Sequence, residues 1–195
     1  MRPNPLLSLA ALLLAAPALA QHAQTTAVAV DPNDPRVVWA TNRDNDSVSR
    51  VDTLAGVTTD EIVVGVRPRT IAFSPDGSRA FVANMRGDVP VDVNFLTPFS
   101  GNEVRGSVSV IDTASRTVVQ TLTDVGVEPY GVAVAPNGKY LAVSAIRSGT
   151  IRFYDLATLG LVAEHAYPAD MDVIQAPLTI ADVDSDRDGI PDLAD

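Results

Sequence analysis

The sequence predicts an all-β fold, a β-propeller of four-stranded antiparallel blades, and three observations predict it. A Pro-anchored unit recurs, with Pro32 and Pro75 43 residues apart. Each unit divides into short runs rich in Val, Ile, Thr and aromatics, bounded by Gly, Pro, Asn or Asp, which is the pattern of strands and not of helices. The 195-residue chain has no Cys. Disulfides therefore cannot hold the sheets, and packing between repeated units must do so.

The elements follow in order. First runs end at Pro32 (TAVAVDP), Pro75 (TIAFSP) and Pro136 (GVAVAP), each leading into a turn at Asn33-Asp34, Asp76-Gly77 or Asn137-Gly138. Val28/Val30, Ile71/Phe73 and Val132/Val134 alternate with small residues, so one face is bulky while the other lets a crowded innermost strand approach its neighbours. Second runs are VVWATN to Asn42, AFVAN to Asn84 and LAVSA to Ala145. Third runs are SVSRVDT to Thr53, SVSVIDT to Thr113 and TIRFYDL to Leu156. Fourth runs are EIVV at 61–64, TVVQTL at 117–122 and the weaker LVAEHA at 161–166; GVRP at 65–68 and GVEP at 126–129 lead on to the next unit. The blades are thus placed at 26–64, 70–122 and 131–166, with the start of a fourth at 178–183 inside a propeller region spanning 21–181. Pro75 and Pro136 stand 61 residues apart, so the second unit carries about 18 extra residues.

Phe81-Val82-Ala83-Asn84 and Trp39-Ala40-Thr41-Asn42, with the stretch 107–144, make the units resemble the YVTN-type β-propeller repeat of bacterial exported proteins. The third unit departs from that pattern, with Ala145 in place of the Asn. The resemblance implies a propeller fold, and it leaves binding platform, surface protein and enzyme all open. Propellers close with four to eight blades, and an open arc leaves apolar sheet faces uncovered at its ends. Three blades and part of a fourth therefore read first as a fragment of a full propeller, with closure by oligomerising or a partial arc capped by the tail as the alternatives, and self-association is expected where blades are missing.

Composition and charge narrow the function. Fourteen Lys+Arg against 24 Asp+Glu give a formal charge of −10. That balance argues against nucleic acid as a partner, because phosphate binding needs a basic face. Arg2, the apolar run 6–16 and the small residues Ala18 and Ala20 of Ala18-Leu19-Ala20 read as a signal peptide over 1–20 with cleavage before Gln21. The rival reading is a membrane span, but eleven apolar residues rise only about 16 Å as a helix, half of a bilayer core. The mature chain is expected to be exported, to the periplasm, the cell surface or the medium.

The acidic tail, 182–195, places Asp184, Asp186, Asp188, Asp192 and Asp195 at positions 1, 3, 5, 9 and 12 of a loop, with Gly189 at 6 and the Ile190 carbonyl at 7. This spacing wraps one turn of chain around a single hard cation, and the expected cofactor is Ca²⁺. The loop resembles those of EF-hands and type 3 thrombospondin repeats, and is similar to that of integrin-type propellers. The plain alternative is a solvated acidic tail.

In a meander, successive turns alternate between the two ends of the sheet. One end therefore gathers the second-to-third turns and the blade-to-blade links. The loop 85–106 is long for a hairpin, and long loops in compact domains tend to carry function. It brings Phe95 and Phe99 toward Arg67, Arg69, Arg86, Asn42 and Asn84, a candidate face for a protein or carbohydrate ligand. Asn42 and Asn84 are expected to bond turn backbone, with ligand contact as the alternative. His22 and His165 are isolated, and no nucleophile elbow, phosphate loop or dinucleotide fingerprint is present. The expected role is non-catalytic recognition or scaffolding. The enzyme alternative is a propeller lactonase or a quinoprotein-like oxidoreductase domain.

Overall fold

The computed structural model describes residues 25–86 and 105–166, which form three four-stranded antiparallel sheets and contain no helix. The first sheet comprises β1 (Thr25–Asp31), β2 (Asp34–Asn42), β3 (Ser47–Asp52) and β4 (Val57–Val63). The second comprises β5 (Pro68–Phe73), β6 (Arg79–Asn84), β7 (Ser107–Asp112) and β8 (Thr117–Leu122). The third comprises β9 (Pro129–Val134), β10 (Tyr140–Ala145), β11 (Thr150–Asp155) and β12 (Leu161–Ala166). Each is a simple meander, in line with the all-β propeller class expected from the repeat. The tail 167–195, the first 24 residues and most of the long loop (87–104) lie outside the described residues.

The sheets repeat each other in detail. In every unit the third-to-fourth strand ladder shifts at one place: Arg50/Val51, Val110/Ile111 and Phe153/Tyr154, just before Asp52, Asp112 and Asp155. Those aspartates build the next turn. Asp52 Oδ1 accepts the N–H groups of Leu54 and Ala55, Asp112 Oδ1 that of Ser115, and Asp155 Oδ1 those of Ala157 and Thr158, at 2.7–3.1 Å. Four residues after the aspartate, Gly56, Arg116 and Leu159 take left-handed backbone at φ 66°, 59° and 57°, and each donates its N–H to the aspartate's carbonyl. An Asp that satisfies its own turn explains why this residue recurs at the end of each third strand.

Stacking gives the repeat its core. The first strands pack on one another, β1 on β5 and β5 on β9, while the outer β4 and β8 meet only lightly, as in blades splayed about an axis. Strand alternation in the middle sheet sends Ile71, Ala80, Val82 and Ile111 into a cluster with Val37, Trp39, Val48 and Ile62 of the first sheet. The intervening Phe81, Ala83, Val108 and Val110 join Val132, Leu141, Val143 and Tyr154 on the other side. Trp39 is fully buried, donates its indole N–H to Asp31 Oδ2 at 2.9 Å, and meets Phe73 edge-on at 5.6 Å.

Among the described residues, no further sheet packs on the other side of the first sheet. Val28 is 63% exposed, whereas Ile71 and Val132, which hold the same register, are 9% and 6% exposed; Val30 is 57% exposed, whereas its counterparts Phe73 and Val134 are half-buried. The difference is the presence of a preceding sheet, because the residue types are nearly the same.

A close approach locks each link to the following sheet. A Cβ on Gly65 would lie 2.6–2.9 Å from the buried Asn84 side chain, and one on Gly126 would lie 2.5 Å from Ala145 Cβ. Gly65 N–H also donates to Ser109 Oγ. The glycine of each GVxP link is therefore a packing requirement, met by Asn in one unit and Ala in the next.

Gly65→Ala should lower stability by about 1–3 kcal/mol, since fully buried Asn84 has nowhere to move. Gly160→Ala, on an exposed turn, should change it by less than about 0.5 kcal/mol. Urea titration followed by the fluorescence of Trp39, the single tryptophan, would measure both. A second expectation concerns acid. A hydrogen bond from Ser74, then bonds from Ser78, hold Asp76 at about 2, and Arg36 holds Asp34 at about 2, both below the ordinary 3.8. Folded values below unfolded ones contribute stability that is complete above pH 4 and lost as pH falls from 3.8 toward 2. Melting temperature should therefore drop across that window, and less steeply in Asp76→Asn.

Candidate functional site

The end of the sheets that carries the links is built by backbone bonds between neighbouring units. Val64 N–H donates to the Asp46 carbonyl at 2.9 Å, and Arg67 N–H to Asp46 Oδ1 at 2.8 Å, tying the first link to the β2–β3 turn. Met85 and Arg86 N–H groups then donate to the carbonyls of Arg67 and Val66, tying the same link to the end of β6. Arg67 sits in left-handed backbone at φ 57°, an uncommon place for a residue with a Cβ.

This scaffold brings four arginines into one neighbourhood. Arg43 comes from the β2–β3 turn, Arg67 from the link, Arg69 from β5 and Arg86 from just beyond β6. Burial pushes the Arg67 guanidinium down from its ordinary value, and the charges of Arg86 and Arg43 add to this, against opposing Asp44 and Asp46. Arg69 is lowered in the same way, by burial and then by Arg43. Its guanidinium carbon lies 5.3 Å from the Tyr130 ring centre, and its Nε is 2.6 Å from Met85 Sδ. Arg86 is only 7% exposed. Like charges held close and partly out of water weaken the fold, and such arrangements concentrate where a ligand is to be met.

The residues singled out by sequence are distributed unevenly. Arg67, Arg69 and Arg86 are brought together. Asn42 and Asn84 are buried, and both correct the expectation that they bond turn backbone. Asn42 Nδ2 donates to Ser47 Oγ, Ser49 Oγ and Glu61 Oε1, and Asn84 Nδ2 donates to Ser107 Oγ and Ser109 Oγ. Serines on β3 and β7 lie opposite the asparagines in register, so cross-strand side chains reach the amide before backbone does. Phe95 and Phe99, and the calcium loop Asp184, Asp186, Asp188, Ile190, Asp192 and Asp195, lie outside the described residues. Among the described residues no group of three or more His, Asp or Glu could hold a metal ion. His165 is exposed on β12, the outermost strand of its sheet.

Meander topology puts Arg43 and Tyr130 at this same end, but neither is among the ligand-face candidates read from the sequence. Arg43 directly follows the repeated Asn, and Tyr130 directly follows the proline of its link. Their fixed positions in the repeat, next to the Asn and the link Pro, are the signal that marks them.

No family model matches the chain. A stretch of 88 residues, 45% of the chain, is 35% identical to antigen Lp49 of Leptospira interrogans serogroup Icterohaemorrhagiae serovar copenhageni (strain Fiocruz L1-130), and it spans 18% of that protein. Among solved structures the chain is similar to hydrazine synthase of Kuenenia stuttgartiensis, with a TM-score of 0.57 and 25% identity. That match covers 70% of this chain and 34% of the other. The chain thus spans about a fifth of the curated relative and about a third of the solved one.

Proposed function

We propose that the chain is an exported β-propeller binding or scaffold module of the YVTN-repeat kind. Its ligand is a protein or carbohydrate met at the link end of the sheets, and a calcium loop follows the blades. The observation that carries the recognition reading is the gathering of Arg43, Arg67, Arg69 and Arg86 from three separate segments onto that end. The leader-like residues 1–20 support export. The Asp-Ser-Asp-Arg-Asp-Gly spacing at 184–189 supports the calcium loop.

The enzyme reading, a lactonase or a quinoprotein-like oxidoreductase, has in its favour the similarity to hydrazine synthase, an enzyme by its name. It requires His, Arg and carboxylate side chains to converge near the inner strands; among the described residues the histidine, His165, stands on the outermost strand.

Expressed in a bacterial host with its leader, the protein should be recovered outside the cytoplasm with Gln21 as its first residue by mass spectrometry. Calorimetry should show heat on addition of millimolar Ca²⁺, lost in Asp188→Ala. The purified protein should not hydrolyse simple lactones. Retention of Met1 in the cytoplasm, silence toward Ca²⁺ or lactone turnover would remove export, the calcium loop or the non-catalytic role, respectively.

A further inference from the structure

The contact between the second and third sheets repeats that between the first and second, with three residues changed at one place. In the earlier contact Ile111 is fully buried, Ile62 belongs to the same cluster, and Val118, opposite Ile111 in register, packs against it. In the later contact Tyr154 holds the position of Ile111 and Leu161 that of Val118, each pair following the same ladder shift. Leu122 holds the position of Ile62, since they face Val108 and Val48 respectively. The later trio is looser: Leu122 is half-buried where Ile62 is buried, and Leu161 is 56% exposed.

The link explains the opening. Val63 and Val64 separate Ile62 from Gly65, whereas Thr123, Asp124 and Val125 separate Leu122 from Gly126. The additional residue carries the chain round Asp124 in left-handed backbone at φ 54°. Beside it lies a cavity of about 290 Å³, with aliphatic walls from Leu122, Val125 and Leu161 and polar groups from Asp124, Arg152 and Tyr154. That volume stands near the lower end of the range for small-molecule pockets.

Tyr154 is 5% exposed, and its Oη has no hydrogen-bond partner among the described residues. The neighbouring Arg152 guanidinium can only donate, so it supplies no acceptor for the hydroxyl hydrogen. Burial pushes the phenol up from its ordinary value, against the pull of Arg152, and keeps it a neutral O–H donor. A buried hydroxyl without an acceptor costs stability, which an oxygen placed before it recovers. The charges nearby are already matched. Arg152 Nε donates to Glu164 Oε2 and its Nη1 to the Asp124 carbonyl, while Arg105 pairs with the Asp124 carboxylate. Two guanidiniums and two carboxylates leave no net charge for an ionic ligand to answer.

We propose that this cavity binds a small neutral carbonyl compound, with its apolar body against Leu122, Val125 and Leu161 and its oxygen accepting from Tyr154 Oη. The site lies apart from Arg43, Arg67, Arg69 and Arg86, and it stands whether or not those arginines meet a ligand.

The probe is 4-fluoroacetophenone, followed by broadening of its fluorine resonance as the purified full chain is added. A Kd of about 1 mM is expected for a ligand of this size. Tyr154→Phe should weaken binding about fivefold, the worth of one hydrogen bond. Its melting temperature without probe should stay at or above that of the unaltered chain, because it deletes a hydroxyl that had no acceptor. Leu161→Trp, on the exposed outermost strand, should fill the cavity and abolish the broadening. 4-Fluorobenzoate, the charged analogue, should bind more weakly than the ketone. Four results would each overturn the proposal: no broadening by the unaltered chain, equal binding by either variant, tighter binding of the benzoate, or a lower melting temperature in Tyr154→Phe. The last would mean that the hydroxyl is already bonded within the fold.

Discussion

Face-to-face burial of one sheet by the next is the constraint on which the structure depends. A four-stranded meander has two broad faces, and only neighbours of the same kind can cover both without disulfides or helices. The middle sheet shows the consequence: successive residues of β6, from Ala80 to Asn84, are all buried because they point alternately into two different interfaces. Val28 and Val30 show the converse. They are exposed, and among the described residues no sheet covers them.

The same constraint dictates the local chemistry of the links. A chain leaving the outer strand of one sheet must return to the inner strand of the next past the end of that sheet's second strand. At Gly65 and Gly126 it does so within contact of Asn84 and Ala145, leaving no room for a Cβ. The residues that follow, Val66-Arg67 and Val127-Glu128, pair with the loop after the second strand. Function can be placed there because the backbone is held by bonds that do not depend on side-chain identity. The third residue of the link is therefore arginine in one unit and glutamate in the other.

Much of the architecture was legible because its signals are periodic. Alternation at Ile71/Phe73 and Val132/Val134, the turn dipeptides Asp76-Gly77 and Asn137-Gly138, and the recurring Asp52, Asp112 and Asp155 each express a local rule. The convergence of Arg67, Arg69 and Arg86 was also legible, because meander topology sends links and second-to-third loops to one end. The partners of Asn42 and Asn84 were not. An amide near a turn can reach backbone or a cross-strand hydroxyl, and only the register that puts Ser47 and Ser107 opposite selects the hydroxyl.

By itself the sequence determined the strand period, the repeated turns and the end of each sheet at which any given loop emerges, since these follow from residue type and order. Tertiary structure alone decided which valines find a covering sheet and why the link glycines admit no Cβ. Those outcomes depend on distances between units, and such distances are set by how whole sheets stack, a property that no single stretch of the chain contains.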